Sequence, residues 1–227
     1  GTLTVHSREL SIYSESLEKF YDGEPLTSDV WEITNGIIAG THTLEYVMNA
    51  EITTPGSIEN EVGITIFDKD GNDVTRYYEI DYSIGTLTVH SIDLSISTET
   101  KEKFYDGVEL NSDEWTMVTG SVSSNHTLLY VMNAAITSPG TVENEIGITI
   151  YNQHGEDITR HYNITYDIGT LTVLSIELSV QTETLEKVYD GEQLTSDEWI
   201  ILTGAISQNH KIEYVMNAKI TTPGIVD

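Results

Sequence analysis

An 84-residue period governs this chain. Gly1-Thr2-Leu3-Thr4-Val5-His6-Ser7 returns unchanged at 85–91 and, with Leu174 in place of the histidine, at 169–175. Between these marks, Tyr21-Asp22-Gly23, Trp31, Tyr46-Val47-Met48-Asn49-Ala50 and Pro55-Gly56 recur at the same offset without a gap. Of the 84 positions, 49 are identical between the first two copies. Self-similarity at a fixed period marks a repeat array. A unit of this size is small, but it can bury a core of its own, so the chain reads as tandem domains. Residues 1–5 read as the closing strand of a preceding repeat. Repeat 1 is then 6–89, repeat 2 is 90–173, and repeat 3 is 174–227, truncated before anything that matches Asn60 to Ile84.

Charge narrows the partners. Ten basic against 37 acidic side chains leave a net charge of −27, and no copy carries a basic stripe. That disfavours nucleic acid and anionic membrane surfaces. The chain has no cysteine, which excludes disulfides, thiolate metal sites and a cysteine nucleophile. No run of eighteen apolar residues offers a membrane span, so no membrane insertion is expected of this segment. The chain opens inside a repeat instead of on a methionine. We therefore expect an internal segment whose export and anchoring signals lie elsewhere.

Local patterning is that of strands. Leu3 and Val5, Leu10 and Ile12, Val62, Ile64 and Ile66, then Tyr78, Ile80 and Tyr82 alternate with polar neighbours. Asp22-Gly23, Pro55-Gly56 and Asp70-Gly71 break these runs with turn chemistry. About seven strands per copy, with no amphipathic helix, predict an all-β tandem array of small antiparallel, Ig-like sandwich domains. A β-grasp-like sheet with one short helix near Ser28 is the alternative.

The motif Glu18-Lys19-Phe20-Tyr21-Asp22-Gly23 returns as Glu186-Lys187-Val188-Tyr189-Asp190-Gly191. With Gly71-Asn72-Asp73-Val74-Thr75, Tyr78-Glu79-Ile80 and Gly85-Thr86-Leu87-Thr88-Val89, it resembles the YDG-type tandem repeats of large bacterial surface proteins and adhesins. The resemblance spans the whole repeat. It implies stalk or adhesion modules strung between an export signal and a cell-wall anchor, on the extracellular side of a bacterial cell. It implies no catalytic residue and no cofactor.

Several side chains are candidate sites, each with a plainer reading beside it. Asp68, Asp70, Asn72 and Asp73 offer hard oxygens for calcium. The stretch lacks the glycine and glutamate spacing of an EF-hand, and a hairpin turn explains it as well. Lys19 with Asn49, Lys103 with Asn133, and Lys187 with Asn217 are candidate pairs for an intramolecular isopeptide cross-link. That chemistry needs a buried neutral amine, whereas a lysine beside a turn is expected to be solvated. Trp31, Trp115 and Trp199 are sugar-stacking candidates, but an apolar residue two places on puts each in the core. His42, His126 and His210 lack a second histidine at ligand spacing and read as polar loop-edge residues.

An enzyme needs one convergent pocket, which an array of near-identical small domains does not supply. The expected function is a structural stalk, a monomeric and semi-rigid rod whose repeats stack end to end because no flexible linker separates them. The alternative is a binding module that recognises a host protein or glycan. Its contact would be the variable stretch at residues 37–41 and its copies at 121–125 and 205–209, since loops on a fixed scaffold often carry recognition.

Overall fold

The structure is a computed structural model that describes residues 1–206 and 210–226. Residues 207–209 of the third variable stretch, and Asp227, lie outside the described residues. The described residues are all-β, with strands joined by turns and, among them, two single-turn 3-10 helices at Thr75–Tyr77 and Thr159–His161. It divides into two compact units. One comprises residues 1–95, 117–129 and 148–165; the other comprises 96–116, 130–147 and 166–227.

Repeat 1 lies wholly in the first unit. Its strands are β1 (Arg8–Ser14), β2 (Leu17–Phe20), β3 (Leu26–Thr27), β4 (Trp31–Asn35), β5 (Thr43–Val47), β6 (Glu51–Ile52), β7 (Gly56–Asn60), β8 (Gly63–Phe67), β9 (Tyr78–Ser83) and β10 (Gly85–His90). Four small sheets result: β4-β1-β9, β5-β8, β2-β10-β7 and β3-β6. The alternating apolar residues are the reason. Leu10, Ile12, Val62, Ile64, Ile66, Val74 and Tyr78 bury into one cluster, and Trp31, Ile33 and Leu44 pack against its edge. The first two sheets thus close one core, which we call the head of the repeat. Each such aliphatic side chain contributes about 1.5–3 kcal/mol relative to exposure. Leu87 and Val89 of β10 are buried in the other half, the tail.

The sheets are mixed, which corrects the expectation of purely antiparallel pairing. β1 pairs with β9 in parallel, as Arg8 opposite Tyr78, and β2 pairs with β10 in parallel, as Leu17 opposite Leu87. The offset is the same in both (78 − 8 = 87 − 17 = 70), so the opening and closing segments of the repeat run side by side in one register. Parallel neighbours need a long crossover connection, and β3 to β8 supply it. The two segments change sheets together at a waist, Glu15-Ser16 on one and Ile84 on the other. There the amide of Gly85 donates to Ser14 Oγ at 2.9 Å, and Asn60 Nδ2 donates to the Glu15 carbonyl at 3.0 Å.

The tail of repeat 2 lies in the second unit and repeats this plan. Lys101–Phe104 pairs in parallel with Thr170–Leu174, which pairs antiparallel with Gly140–Glu143. Leu110, Leu171 and Val173 form its core, with Tyr105, Ile136 and Val142 packed against them. In repeat 3, Ser179–Thr182 pairs with Trp199–Thr203, and Leu194 bridges to Ile220.

One further expectation is corrected. No helix forms at Ser28. Its hydroxyl donates to Glu15 Oε2 at 2.8 Å and accepts the Val30 amide at 3.2 Å, so it pins a loop. Residues 1–7 are exposed and irregular. The same heptapeptide at 85–91 is extended because β2 and β7 hydrogen-bond it from both sides. Pairing, not intrinsic preference, makes the strand.

Candidate functional site

The Tyr-Asp-Gly turn is built from its own neighbours. Gly23 takes φ +85°, a left-handed conformation that glycine adopts without steric cost. Asp22 Oδ1 accepts the Lys19 ammonium at 2.6 Å and the Glu24 amide at 2.9 Å, while Lys19 also donates to the Glu24 carbonyl. The Lys19 hydrogen bond, followed by that from the Glu24 amide, holds the Asp22 carboxyl below its ordinary range. The clamp recurs as Lys103 on Asp106 at 2.7 Å and Lys187 on Asp190 at 2.8 Å.

This geometry gives the three lysines a role other than cross-linking. They are not directed at an asparagine amide: each is held by the aspartate of its own turn, Lys19 and Lys103 half-buried and Lys187 exposed. Asn49, Asn133 and Asn217 are exposed.

The clamp presents Tyr21, which is only 6% exposed. What covers it belongs to the next repeat. Within the first unit its ring lies 4.4 Å from the His161 ring and 5.9 Å from the His126 ring, centroid to centroid. His126 is oriented by Tyr162, whose hydroxyl meets its Nδ1, and the Ser123 amide donates to the same hydroxyl. Arg160 Nε donates to His161 Nε2, which places the proton of neutral His161 on Nδ1; that atom is buried without a hydrogen-bond partner. Burial pushes both imidazoles below their ordinary pKa, and in His161 the positive charge of Arg160 and the neighbouring His126 add to it. Burial also raises the Tyr21 phenol, so the ring is a neutral plug in a neutral socket. Beside it, Lys19, Phe20, His90, Asp93, Arg160 and Asn163 line a cavity of about 670 Å³ with charges of both signs.

The same parts occur elsewhere in different states of pairing. In the second unit, Tyr105 stacks on His210 with centroids 5.2 Å apart, tilted by 25°. Repeat 1 carries the same socket parts. His42 Nδ1 meets Tyr78 Oη at 2.7 Å and the Ala39 amide donates to that hydroxyl, while Tyr77, at the position of His161, is 53% exposed with Arg76 4.9 Å over its ring.

His42, His126 and His210 are therefore socket residues, beyond the loop-edge role read from sequence. The variable stretches 37–41 and 121–125 border the socket. Tyr21 and His161 escape sequence reading because no periodicity marks a residue whose partner lies in the following copy.

The remaining candidates have local roles. Asp68 Oδ1 accepts the amides of Asp70 and Asn72, both at 2.9 Å, and Asn72 Nδ2 reaches both of its carboxylate oxygens. Asp73 accepts the Thr75 amide, and Asp70 pairs with Lys69. These oxygens shape a turn, and among the described residues no group of three or more acidic, histidine or cysteine side chains could hold a metal ion. The tryptophans are half-buried. Trp31 packs on the head core with its ring 5.0 Å from Tyr46, and Trp115–Tyr130 and Trp199–Tyr214 repeat the pair. Among the described residues no helix is long and apolar enough to cross a membrane.

Compared with known proteins, the chain matches no family model and no curated protein sequence.

Proposed function

We propose that this chain is a non-catalytic stretch of a stalk on the outside of a bacterial cell, in which Ig-like repeats carry load between an anchored end and a distal region. The observation that carries this reading is the joint. A single residue, Ser91, separates β10 of repeat 1 from the next strand, Ile92–Thr98, and Tyr21 is plugged into the following head. A linkerless joint with a side-chain lock transmits force between modules, whereas a flexible tether lets them swing. The resemblance to YDG-type surface repeats and the acidic surface point the same way. A ligand-binding role for the variable stretch draws less support, because residues 121–125 border an occupied socket.

Single-molecule stretching of the chain by its two ends tests the proposal. A complete repeat should unfold as one event that releases about 300 Å of contour, the length of 84 extended residues at roughly 3.6 Å each. Smooth extension without discrete events would overturn the load-bearing role. Binding to a glycan array or host matrix that is lost when 37–41 and 121–125 become Gly-Ser would favour the recognition role instead.

A further inference from the structure

We infer that the groove over Gly147 in repeat 2, and its counterpart over Gly63 in repeat 1, binds a basic segment of another protein, one lysine or arginine side chain to each groove. Two glycines that the backbone does not require point to it. Gly63 lies on β8 opposite Val47, and Gly147 has the same place on the strand Ile146–Tyr151. Neither takes a positive φ, and β8 pairs with β5 without a bulge. A Cβ on Gly63 or Gly147 would meet nothing nearer than the carbonyl oxygens of Val47 and Val131, at 3.8 and 3.9 Å. A strand glycine with neither bulge nor crowding marks a place where another molecule approaches the backbone closely.

In repeat 2 the missing side chain opens a groove of about 590 Å³. Its walls are apolar: Val131, Ile146, Tyr166 and Ile168, of which Val131 is 59% and Tyr166 45% exposed. Its rim is acidic, with Glu143 and Glu145 exposed on either side of buried Asn144. Among the described residues neither carboxylate has an ion-pair or hydrogen-bond partner. Repeat 1 has Val47, Val62, Tyr82, Ile84, Glu59 and Glu61 in the same places.

The ends of the chain do not account for the exposure. Val47 is 59% and Tyr82 40% exposed, close to the values of repeat 2. Repeat 1 is followed by a complete repeat and repeat 2 is preceded by one.

Apolar walls beside uncompensated carboxylates are the complement of a lysine or arginine side chain. Its methylene stem buries on apolar surface while its charged head stays at the wet edge. Tyr166 adds a ring face for the cation. A neutral sugar would also meet the ring and the carboxylates, but would leave both negative charges uncompensated. The net charge of −27 further attracts a basic partner and repels an acidic one. One side chain makes a weak site, with a dissociation constant on the order of a millimolar. A partner with several basic residues gains affinity by engaging both grooves.

The experiment is a titration of the full chain with the end-blocked tripeptide Lys-Leu-Lys, followed by amide NMR, with Glu-Leu-Glu and maltotriose in parallel. We expect saturable shifts of Val131 and Gly147, and of Val47 and Gly63, with Lys-Leu-Lys alone. Gly147→Val fills the groove of repeat 2 without crowding the backbone. It should weaken the response of Val131 at least about tenfold and leave that of Gly63 unchanged, so that repeat 1 reports an intact fold. Glu143→Gln combined with Glu145→Gln should weaken it about fivefold. No shifts, shifts scattered over the acidic surface without saturation, shifts that maltotriose reproduces, or binding at Val131 that survives Gly147→Val would each overturn the inference.

Discussion

The ring of Tyr21 rests 4.4 Å from that of His161, a residue 140 positions later and in the next repeat. A histidine in that place makes the joint answer to acid. His126 and His161 are held below the ordinary imidazole value of about 6.5 by burial, with Arg160 a further cause for His161. A folded-state pKa below the unfolded one means the joint binds fewer protons than the open chain. Its stabilisation is complete above the unfolded value and is lost as pH falls through the depressed folded values. Asp22 and Glu156 lie close enough to act on Tyr21 and temper the loss. Ring exposure of Tyr21, read by its NMR line shape, should therefore rise as the pH falls below about 6.5. His161→Tyr, the residue of repeat 1, should flatten the response. An unchanged profile in that variant would remove histidine from the account.

The lysine clamps predict an unmodified protein. Lys19, Lys103 and Lys187 spend their ammonium groups on aspartates of their own turns, and the paired asparagines are exposed. Intact mass should equal the sequence mass, with no loss of ammonia. Lys19→Met should loosen the first turn and raise the exposure of Tyr21, whereas Asn49→Ala should leave both alone. A deficit of one ammonia per repeat would reverse the assignment.

The acidic turn should be indifferent to calcium. Asp68 is its keystone, since three donors converge on its carboxylate, whereas Asp70 reaches only the neighbouring Lys69. Asp70→Asn should leave the melting temperature within error, Asp68→Ala should lower it, and chelator against excess calcium should move neither. A calcium-dependent rise in melting temperature lost in Asp70→Asn would restore the metal reading.

How much of this was legible depends on where a residue's partner lies. Leu10 with Ile12, and Val62 with Ile64 and Ile66, announce strands because both faces of a strand show in local alternation. The turn at Asp22-Gly23 is equally local. Strand direction is not: nothing near Arg8 says that Tyr78, seventy positions on, lies beside it in parallel. Residues 1–6 make the point most sharply, since the same letters are strand at 85–90 and irregular at the start. Lys19 reads as solvated beside a turn, because the sequence does not show the carbonyls that Glu24 and Pro25 turn toward it. The socket was the least legible, being split between copies.

The waist carries the steepest prediction. Glu15 is where β1 gives way to β2, and three groups converge on it: Asn60 Nδ2 on its carbonyl, Ser28 on its carboxylate, and Gly85 against its backbone. A Cβ on Gly85 would stand 2.3 Å from the Glu15 carbonyl oxygen and 2.5 Å from that of Ser14, both backbone atoms that no rotamer can move. Gly169 repeats this at 2.4 Å from the carbonyl of Glu99. Gly85→Ala must therefore push the two parallel segments apart, disturbing the buried Asn60 and the Gly85–Ser14 hydrogen bond together. We expect a loss of at least about 3 kcal/mol, at the high end for a single substitution. Asn60→Ala is the comparison. It removes one buried hydrogen bond but also an Oδ1 that is buried without a partner, so its cost should stay near 1–2 kcal/mol. Chemical denaturation of the full chain, followed by a probe in repeat 1, gives both values. If Gly85→Ala proved the milder of the two, the close approach of the segments would not be what holds the repeat at its waist.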